Sequence, residues 1–499
     1  MIRKMNRTCL LFLLVSMLTK LGEVRTFDPF KFKEDSPTES DQCFCQLEGK
    51  IDDCMCNVDT VDYFNNMKIF PRLQSLLQKD FFRYFKYNAN RPCPFWNSST
   101  DRCKNPSCGV KPCSIDEIPP GLINDNNENC QQKNEDSADF KVDSTISDKV
   151  LADLESWKEF DDSQGSFCQI DPDDNCPNCD YVDLSKNPER YTGYKDEPAH
   201  RVWRAIYQEN CFEPPKISNA KTTTKKKAAF SAAFFPKSLE KMCLEKRAFY
   251  RAISGLHSSI TVHLTAEHPK GTSDSKTNHL FPGVGNPEVY GPNLSLFLQR
   301  FNPDETNGLG PYWLKNLYFV YLLELRAITK AAPYLESHQF YTGNDEEDKE
   351  TQIAVKEILN LMKSFPDQFD ETSMFTSGQK LEMLTLKNEF RAHFHNISRV
   401  MDCVGCEKCK LWGKLQITGL GTALKILFSS DTQNNNSVSA FNQVFINSSD
   451  ALIDPSLSNL RLSRNEIVAL LNAFGKLSKS IQQLEVFRRM LSIKQIERA

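Results

Sequence analysis

The densest chemistry in the chain is Cys403-Val-Gly-Cys406-Glu-Lys-Cys409, two overlapping CxxC spacings on one short stretch. Both cannot be disulfides at once, so one of these cysteines must pair elsewhere and leave a single CxxC. Such a pair is redox-active when a helix N-terminus or nearby cations favour the thiolate, the species that attacks a disulfide. Lys408 and Lys410 flank the last cysteine. The competing use is half a zinc knuckle, with Cys176-x-x-Cys179 as the other half.

A second cysteine group stands far upstream. Cys103 and Cys108 enclose Lys-Asn-Pro-Ser, and Cys113 follows after Gly-Val-Lys-Pro. Pro106, Gly109 and Pro112 exclude a helix here and predict a mobile loop, while Arg102, Lys104 and Lys111 favour thiolate. Exchange and structural stapling fit this spacing equally. Cys43-x-Cys45 and Cys54-x-Cys56 flank a short Gly-containing stretch. Nested pairing, Cys43 with Cys56 and Cys45 with Cys54, would close a small hairpin; zinc is the weaker reading because no histidine is near.

The compartment decides between thiol and metal chemistry. Arg3, Lys4 and Arg7 precede an apolar run from Cys9 to Leu18, which reads as a signal peptide over residues 1–22, too short for a span. Disulfides persist in the oxidising compartment this implies. Of 18 cysteines, Cys9 falls in the signal, and the odd remainder requires an unpaired or intermolecular thiol, which we assign to Cys168. Sequons at Asn97, Asn293, Asn396, Asn435 and Asn447 fit a glycoprotein. The chain ends Ile496-Glu497-Arg498-Ala499, without a KDEL-type signal. With 61 Lys+Arg against 65 Asp+Glu the formal charge is −4, so no basic field exists to hold nucleic acid.

These cysteines must be positioned by helices. Trp313, Leu314, Leu317, Tyr318, Tyr321, Leu322 and Leu325 form an apolar stripe at three and four residue steps. Ile353, Ile358, Leu359 and Met362 make a second stripe, and Leu381, Leu384, Phe390, Phe394 and Ile397 a third. Ser463 stands three before Glu466 as a capping box, ahead of Ile467, Leu470, Leu471, Phe474, Leu477, Ile481 and Leu484. Strand alternation is scarce. The prediction is a mainly α protein: a flexible N-terminus over 23–42, then one helical-bundle domain over 43–495. A disulfide-stapled, loop-rich N-terminal segment precedes the bundle, with disordered loops near 131–147, 216–230, 267–285 and 430–445.

Longer motifs carry a resemblance. Cys403 to Gly413, Asn187-Pro-Glu-Arg-Tyr-Thr-Gly-Tyr194 and Glu245-Lys-Arg-Ala-Phe-Tyr-Arg-Ala-Ile-Ser-Gly-Leu-His257 are similar to segments of the endoplasmic reticulum oxidoreductins. Arg91-Pro-Cys-Pro-Phe-Trp96, Leu314-Lys-Asn-Leu-Tyr318 and Gly419-Leu-Gly-Thr-Ala-Leu-Lys425 share the likeness, which runs from about Cys43 to the last helix. These are flavin-dependent oxidases of protein disulfide isomerase. The resemblance implies an inner pair Cys406/Cys409 that reduces the flavin, and an outer shuttle pair Cys103/Cys108. It implies structural bridges Cys93–Cys403 and Cys211–Cys243, and inhibitory pairs Cys103–Cys130 and Cys108–Cys113.

It also implies FAD bound between helices by Arg190, Thr192, Trp203, Ser254, His257 and Arg300. The residue types suit such a ligand, with arginines for a pyrophosphate, an indole for a flat ring, and Ser254 and His257 for hydrogen bonds or packing. Gly419-Leu-Gly421 is not a Rossmann fingerprint, for it lacks the third glycine and a preceding strand. Two departures stand out: Trp313 occupies a position where some relatives carry a cofactor-contacting arginine, and Cys176-Pro-Asn-Cys179 is an extra CxxC.

The expected function is thiol oxidation in the endoplasmic reticulum lumen: electrons pass from the isomerase through Cys103/Cys108 and Cys406/Cys409 to FAD and molecular oxygen, giving hydrogen peroxide. The expected protein is monomeric, with at most peripheral association with the luminal membrane. The alternatives are a non-catalytic, disulfide-rich luminal binding protein and a luminal zinc protein.

Overall fold

The computed structural model describes residues 58–93, 95, 108–123, 179–189, 196–209, 244–269, 290–306, 309–366, 394, 397–427, 460 and 462–496. The fold is mainly α. Short helical turns fill Val58–Arg83, followed by strand β1 (Tyr84–Tyr87), which pairs antiparallel with β2 (Asp180–Asp183). The longer helices are α1 (Asp196–Glu209), α2 (Leu244–Ala266), α3 (Leu294–Phe301), α4 (Leu309–Lys330), α5 (Asp345–Lys363), α6 (Glu407–Leu427) and α7 (Arg464–Ile496). A second ribbon, β3 (His268–Pro269) with β4 (Tyr290–Gly291), closes the chain between α2 and α3.

Helix α4 is central, packed against α2, α5, α6 and α7. Its predicted stripe is buried, with Trp313 partly so, but so are Phe319, Val320 and Leu323 on its other sides. A helix enclosed on every side needs no polar face, which is why the stripe understates its core. The second predicted stripe needs correcting. Ile353 is 67% exposed, and the buried face of α5 is Thr351, Val355, Ile358, Leu359 and Met362. Asn344 caps α5 by accepting from Glu346 and Glu347 N–H, and the acidic first turn suits the positive end of the helix.

The capping box of α7 is complete. Glu466 N–H donates to Ser463 Oγ at 3.1 Å, and Ser463 N–H donates to Glu466 Oε2 at 2.9 Å. Every apolar residue predicted for α7 is buried. Farther along, Arg488 pairs with Asp62, and Tyr318 O–H donates to Asp62 at 2.6 Å, joining α7, α4 and the first helical turn. Gly419, which forms no nucleotide loop, has a packing role instead. A Cβ on Gly419 would lie 2.4 Å from Ala473 Cβ and 2.5 Å from Ala469 O, so only glycine permits this approach of α6 to α7. Among the described residues, no helix is long and apolar enough to cross a membrane.

Candidate active site

The site starts at the N-terminus of α6. Cys406 immediately precedes the first helical residue; its carbonyl accepts Lys410 N–H at 2.8 Å and its Sγ accepts Cys409 N–H at 3.3 Å. Cys406 therefore occupies the capping position, and the three-residue step places Cys409 on the same side of the first turn. The two form a disulfide with Cα atoms 5.1 Å apart. On reduction, the orphan N–H groups and positive end of a 21-residue helix face Cys406, an environment that favours its thiolate.

Cys403 is bonded to Cys93, 310 residues away in sequence, which leaves Cys406 and Cys409 to each other. The ammonium of Lys410 donates to the carbonyls of Ala89 at 3.1 Å and Arg91 at 3.2 Å. It thus holds the segment carrying Cys93 against α6, and burial, then the charge of Lys414, lowers its pKa. Next to Cys403, the fully buried carboxylate of Asp402 is ringed by Lys414 at 2.6 Å, Arg399 at 3.1 Å and Arg91 at 3.6 Å. Burial raises the pKa of Asp402 while Lys414 opposes the rise.

The outer cysteine lies against this pair. Cys108 is 3% exposed and clusters with Cys406 (1%) and Cys409 (0%). The sequence predicts a mobile loop here; the structure buries its last cysteine at the inner disulfide. Cys108 is itself disulfide-bonded, to a partner outside the described residues. It is not Cys113, which is a free thiol packed in a separate cluster with Tyr84, Leu122 and Tyr181. Burial, reinforced by the charge of Asp183, raises the Cys113 pKa.

Of the predicted cofactor residues, Trp203, Ser254 and His257 come together at α2. Trp203 of α1 stacks on His257 with ring centroids 3.8 Å apart, and Tyr207 O–H lies 3.3 Å from His257 Nδ1. One turn before His257, Ser254 Oγ accepts Asn316 Nδ2–H at 3.0 Å, and Asn316 Oδ1 accepts Arg251 Nε–H at 3.0 Å. Gly255 allows this contact between α2 and α4, since a Cβ there would lie 2.1 Å from Asn316 O. Tyr207 and Tyr250 also hydrogen-bond Ser254, and burial pushes both phenols above their usual range. Trp313 hydrogen-bonds Tyr250 and so braces this network. On α3, Arg300 has a buried Nε with no hydrogen-bond partner among the described residues, and burial lowers its pKa. A buried guanidinium nitrogen without a hydrogen-bond partner among the described residues fits an anionic group such as the pyrophosphate of FAD, and the stacked Trp203–His257 pair fits a flat one.

A sequence model for Endoplasmic Reticulum Oxidoreductin 1 (ERO1) matches residues 68–484. Human ERO1-like protein alpha is 45% identical over 491 residues, covering 94% of this chain and 97% of that protein. The chain belongs to the ERO1 family. The Drosophila melanogaster Ero1-like protein is also 45% identical, covering 92% of each chain. A mutant Ero1p from S. cerevisiae superposes with a TM-score of 0.53 at 28% identity, over 88% of this chain and 99% of that one. Another solved structure, of Ero1p as the source of disulfide bonds for oxidative protein folding in the cell, gives 0.54 at 28% identity. This ERO1-family chain is accordingly an oxidoreductase of disulfide bonds that acts on protein substrates in oxidative folding.

In the ERO1-family chain Cys108, Cys406 and Cys409 form the sulfur cluster, Cys113 lies apart from it, Trp203 meets His257 one turn from Ser254, and Arg300 stands on α3. Cys43, Cys45, Cys54, Cys56, Cys103, Cys130, Cys168, Cys176, Arg190, Thr192, Cys211 and Cys243 lie outside the described residues. Other contacts of α6 and α7 are ones that residue types alone did not single out. Trp412 Nε1–H donates to Asn187 O at 2.7 Å, and Glu189 pairs with Lys476 at 2.7 Å. Lys476 also sits 4.0 Å over the Trp412 ring. Asn187 and Trp412 belong to the motifs that carry the resemblance, which was the one available signal.

Proposed function

We propose that this chain is a thiol oxidase of the endoplasmic reticulum lumen that re-oxidises protein disulfide isomerase. The observation that carries the reading is the burial of Cys108, Cys406 and Cys409 in one cluster. In the proposed sequence an isomerase thiolate attacks the Cys103–Cys108 disulfide, and its second thiol resolves the mixed disulfide, leaving Cys103 and Cys108 reduced. A thiolate of that pair attacks the Cys406–Cys409 bond; the other outer thiol resolves the intermediate, restoring the outer disulfide and leaving the inner dithiol. Two electrons and two protons move inward at each exchange.

The capped position of Cys406 stabilises the thiolate released when the inner bond opens. Arg190, Thr192 and Arg300, with Trp203, Ser254 and His257, would hold FAD: the arginines suit its pyrophosphate, the indole a flat ring, and Ser254 and His257 hydrogen bonds or packing. FAD supplies the two-electron acceptor and the route to molecular oxygen, which leaves as hydrogen peroxide. Oxygen is needed because the isomerase couple, about −180 mV, lies within the lumen's own poise, so thiol exchange alone drives little. Residues 43–495 form one catalytic domain, and the protein works as a luminal monomer.

The experiment is to purify the protein, record its visible spectrum, and supply reduced isomerase. Yellow protein that consumes oxygen and forms peroxide is expected, with both activities lost in Cys108→Ser. Colourless protein with bound metal and no oxygen uptake would establish the luminal zinc protein instead.

A further inference from the structure

Cys108 is held at the inner disulfide by two residues to which the relay assigns no role. Glu407 lies between Cys406 and Cys409 in sequence, and its Oε2 accepts Val110 N–H at 2.9 Å. Its side chain is exposed to solvent. Asn187 is fully buried. Its Oδ1 accepts Lys111 N–H at 2.7 Å, while its Nδ2 donates to Lys111 O at 2.9 Å and to Asp183 O at 3.0 Å. An amide that exchanges both bonds with one residue acts like a neighbouring strand, engaging backbone whatever the side chain.

Asn187 is fixed to the helix that bears the inner pair, because its own carbonyl accepts the Trp412 indole N–H at 2.7 Å. A short rigid path therefore runs from α6 through Trp412 and Asn187 to Lys111, three residues past Cys108. Beyond Lys111 the strap continues: Pro112 bridges Val182, and Cys113 N–H donates to Tyr181 O at 2.8 Å.

We propose that Asn187 and Glu407 are positioning residues for the exchange between Cys108 and Cys406–Cys409, and that they act unequally. Asn187 is a permanent post and Glu407 a releasable latch. The proposal rests on the relay described above. At 3% exposure Cys108 is out of reach of a thiol on another folded protein, so reaction with one requires Cys108 to leave the inner pair. The contact that yields first is the single, water-exposed Val110–Glu407 bond, since water replaces it at little cost. The buried double bond at Lys111 has no such replacement, so movement begins at Gly109 and Val110. Re-forming the Glu407 contact returns Cys108 to the same sulfurs.

The test uses the full-length flavin-loaded protein as wild type, Glu407→Ala and Glu407→Gln. Hydrogen exchange at the Val110 amide reads the latch directly. Anaerobic reduction by a reduced thioredoxin-fold protein, followed across its concentration, separates the second-order attack on the outer disulfide from the concentration-independent inner transfer. Glu407→Ala is expected to speed Val110 exchange and slow inner transfer by roughly fivefold, the factor of one net hydrogen bond, without slowing the second-order attack. Glu407→Gln keeps an acceptor oxygen and restores both. Asn187→Asp, which loses the donor to Lys111 O, slows inner transfer more than Glu407→Ala.

Unchanged Val110 exchange and unchanged inner transfer in Glu407→Ala overturn the latch, as does a Glu407→Gln protein no better than Glu407→Ala. Failure of the relay reads differently: Cys108→Ser would then be reduced by the protein dithiol as fast as wild type.

Discussion

The N-terminal turn of α6 and its middle meet their neighbours by different physics. At the N-terminal turn the contacts are sulfur against sulfur, ion pairs around Asp402, and side chains bonded to backbone at Val110, Ala89 and Arg91. About three turns later, α6 touches α7 through Gly419 against Ala469 and Ala473, with no space for a methyl group. Polar contacts at the N-terminal turn can break and re-form without disturbing the core. The close contact at the middle fixes the helix axis, so the capped cysteine stays in place while the Cys108 segment moves.

If that division holds, damage at each place should have a distinct signature. The largest effect is expected from Cys409→Ala, which removes the inner disulfide: thiol oxidation is abolished, while thermal unfolding shifts only by the loss of one buried sulfur from a small cluster. Oxygen uptake and calorimetry on the same sample check it. Asp402→Ala leaves Lys414 buried beside Arg399 and Arg91 without its counter-charge. A loss on the order of 3–5 kcal/mol is expected by denaturant unfolding. A loss that small surface pairs would give, under about 1 kcal/mol, would show that this cluster is not sealed from water.

His263 sharpens the comparison from the α7 side. Its Nε2 lies 2.9 Å from Lys476 O and 3.0 Å from Ser480 Oγ. Burial, helped by the charges of Lys476 and Lys479, pushes its pKa down to about 4. The folded protein therefore favours neutral imidazole, whose contribution is present above the unfolded pKa of about 6.5 and disappears as pH falls toward 4. Stability should drop by up to roughly 3 kcal/mol across that window, and His263→Gln should flatten the slope. The smallest effect is expected from Gly419→Ala: about 1–3 kcal/mol lost on unfolding, with turnover per folded molecule unchanged. A change in turnover would mean that the N-terminal turn and the middle of α6 are coupled.

What the sequence reveals follows from how local each cause is. The α7 cap and apolar face depend on residues within a few turns, and both are legible. Ile353 falls on the wrong face because it stands five residues before Ile358, off the three- and four-residue step, whereas Val355 stands three before Ile358 and four before Leu359. The choice among the overlapping CxxC spacings depends on Cys93, 310 residues upstream of its partner. Spacing leaves that choice open, and only resemblance points to it. Asn187 and Glu407 are illegible as positioning residues because each acts on loop backbone, 76 and 297 residues away respectively, with no complementary side chain to signal the contact.

The central claim is that Cys108 stands ready to exchange with the inner pair, and trapping tests it most directly. In Cys409→Ala, Cys406 has lost its partner and sits as a capped thiolate beside the Cys108 disulfide. It should attack Cys108, form a Cys406–Cys108 bond and release the outer partner as a free thiol. Mass spectrometry of alkylated, digested protein is predicted to find that cross-linked peptide as the main form of Cys406. Recovery of Cys406 as an alkylated free thiol, with Cys108 still in its original disulfide, would contradict the claim.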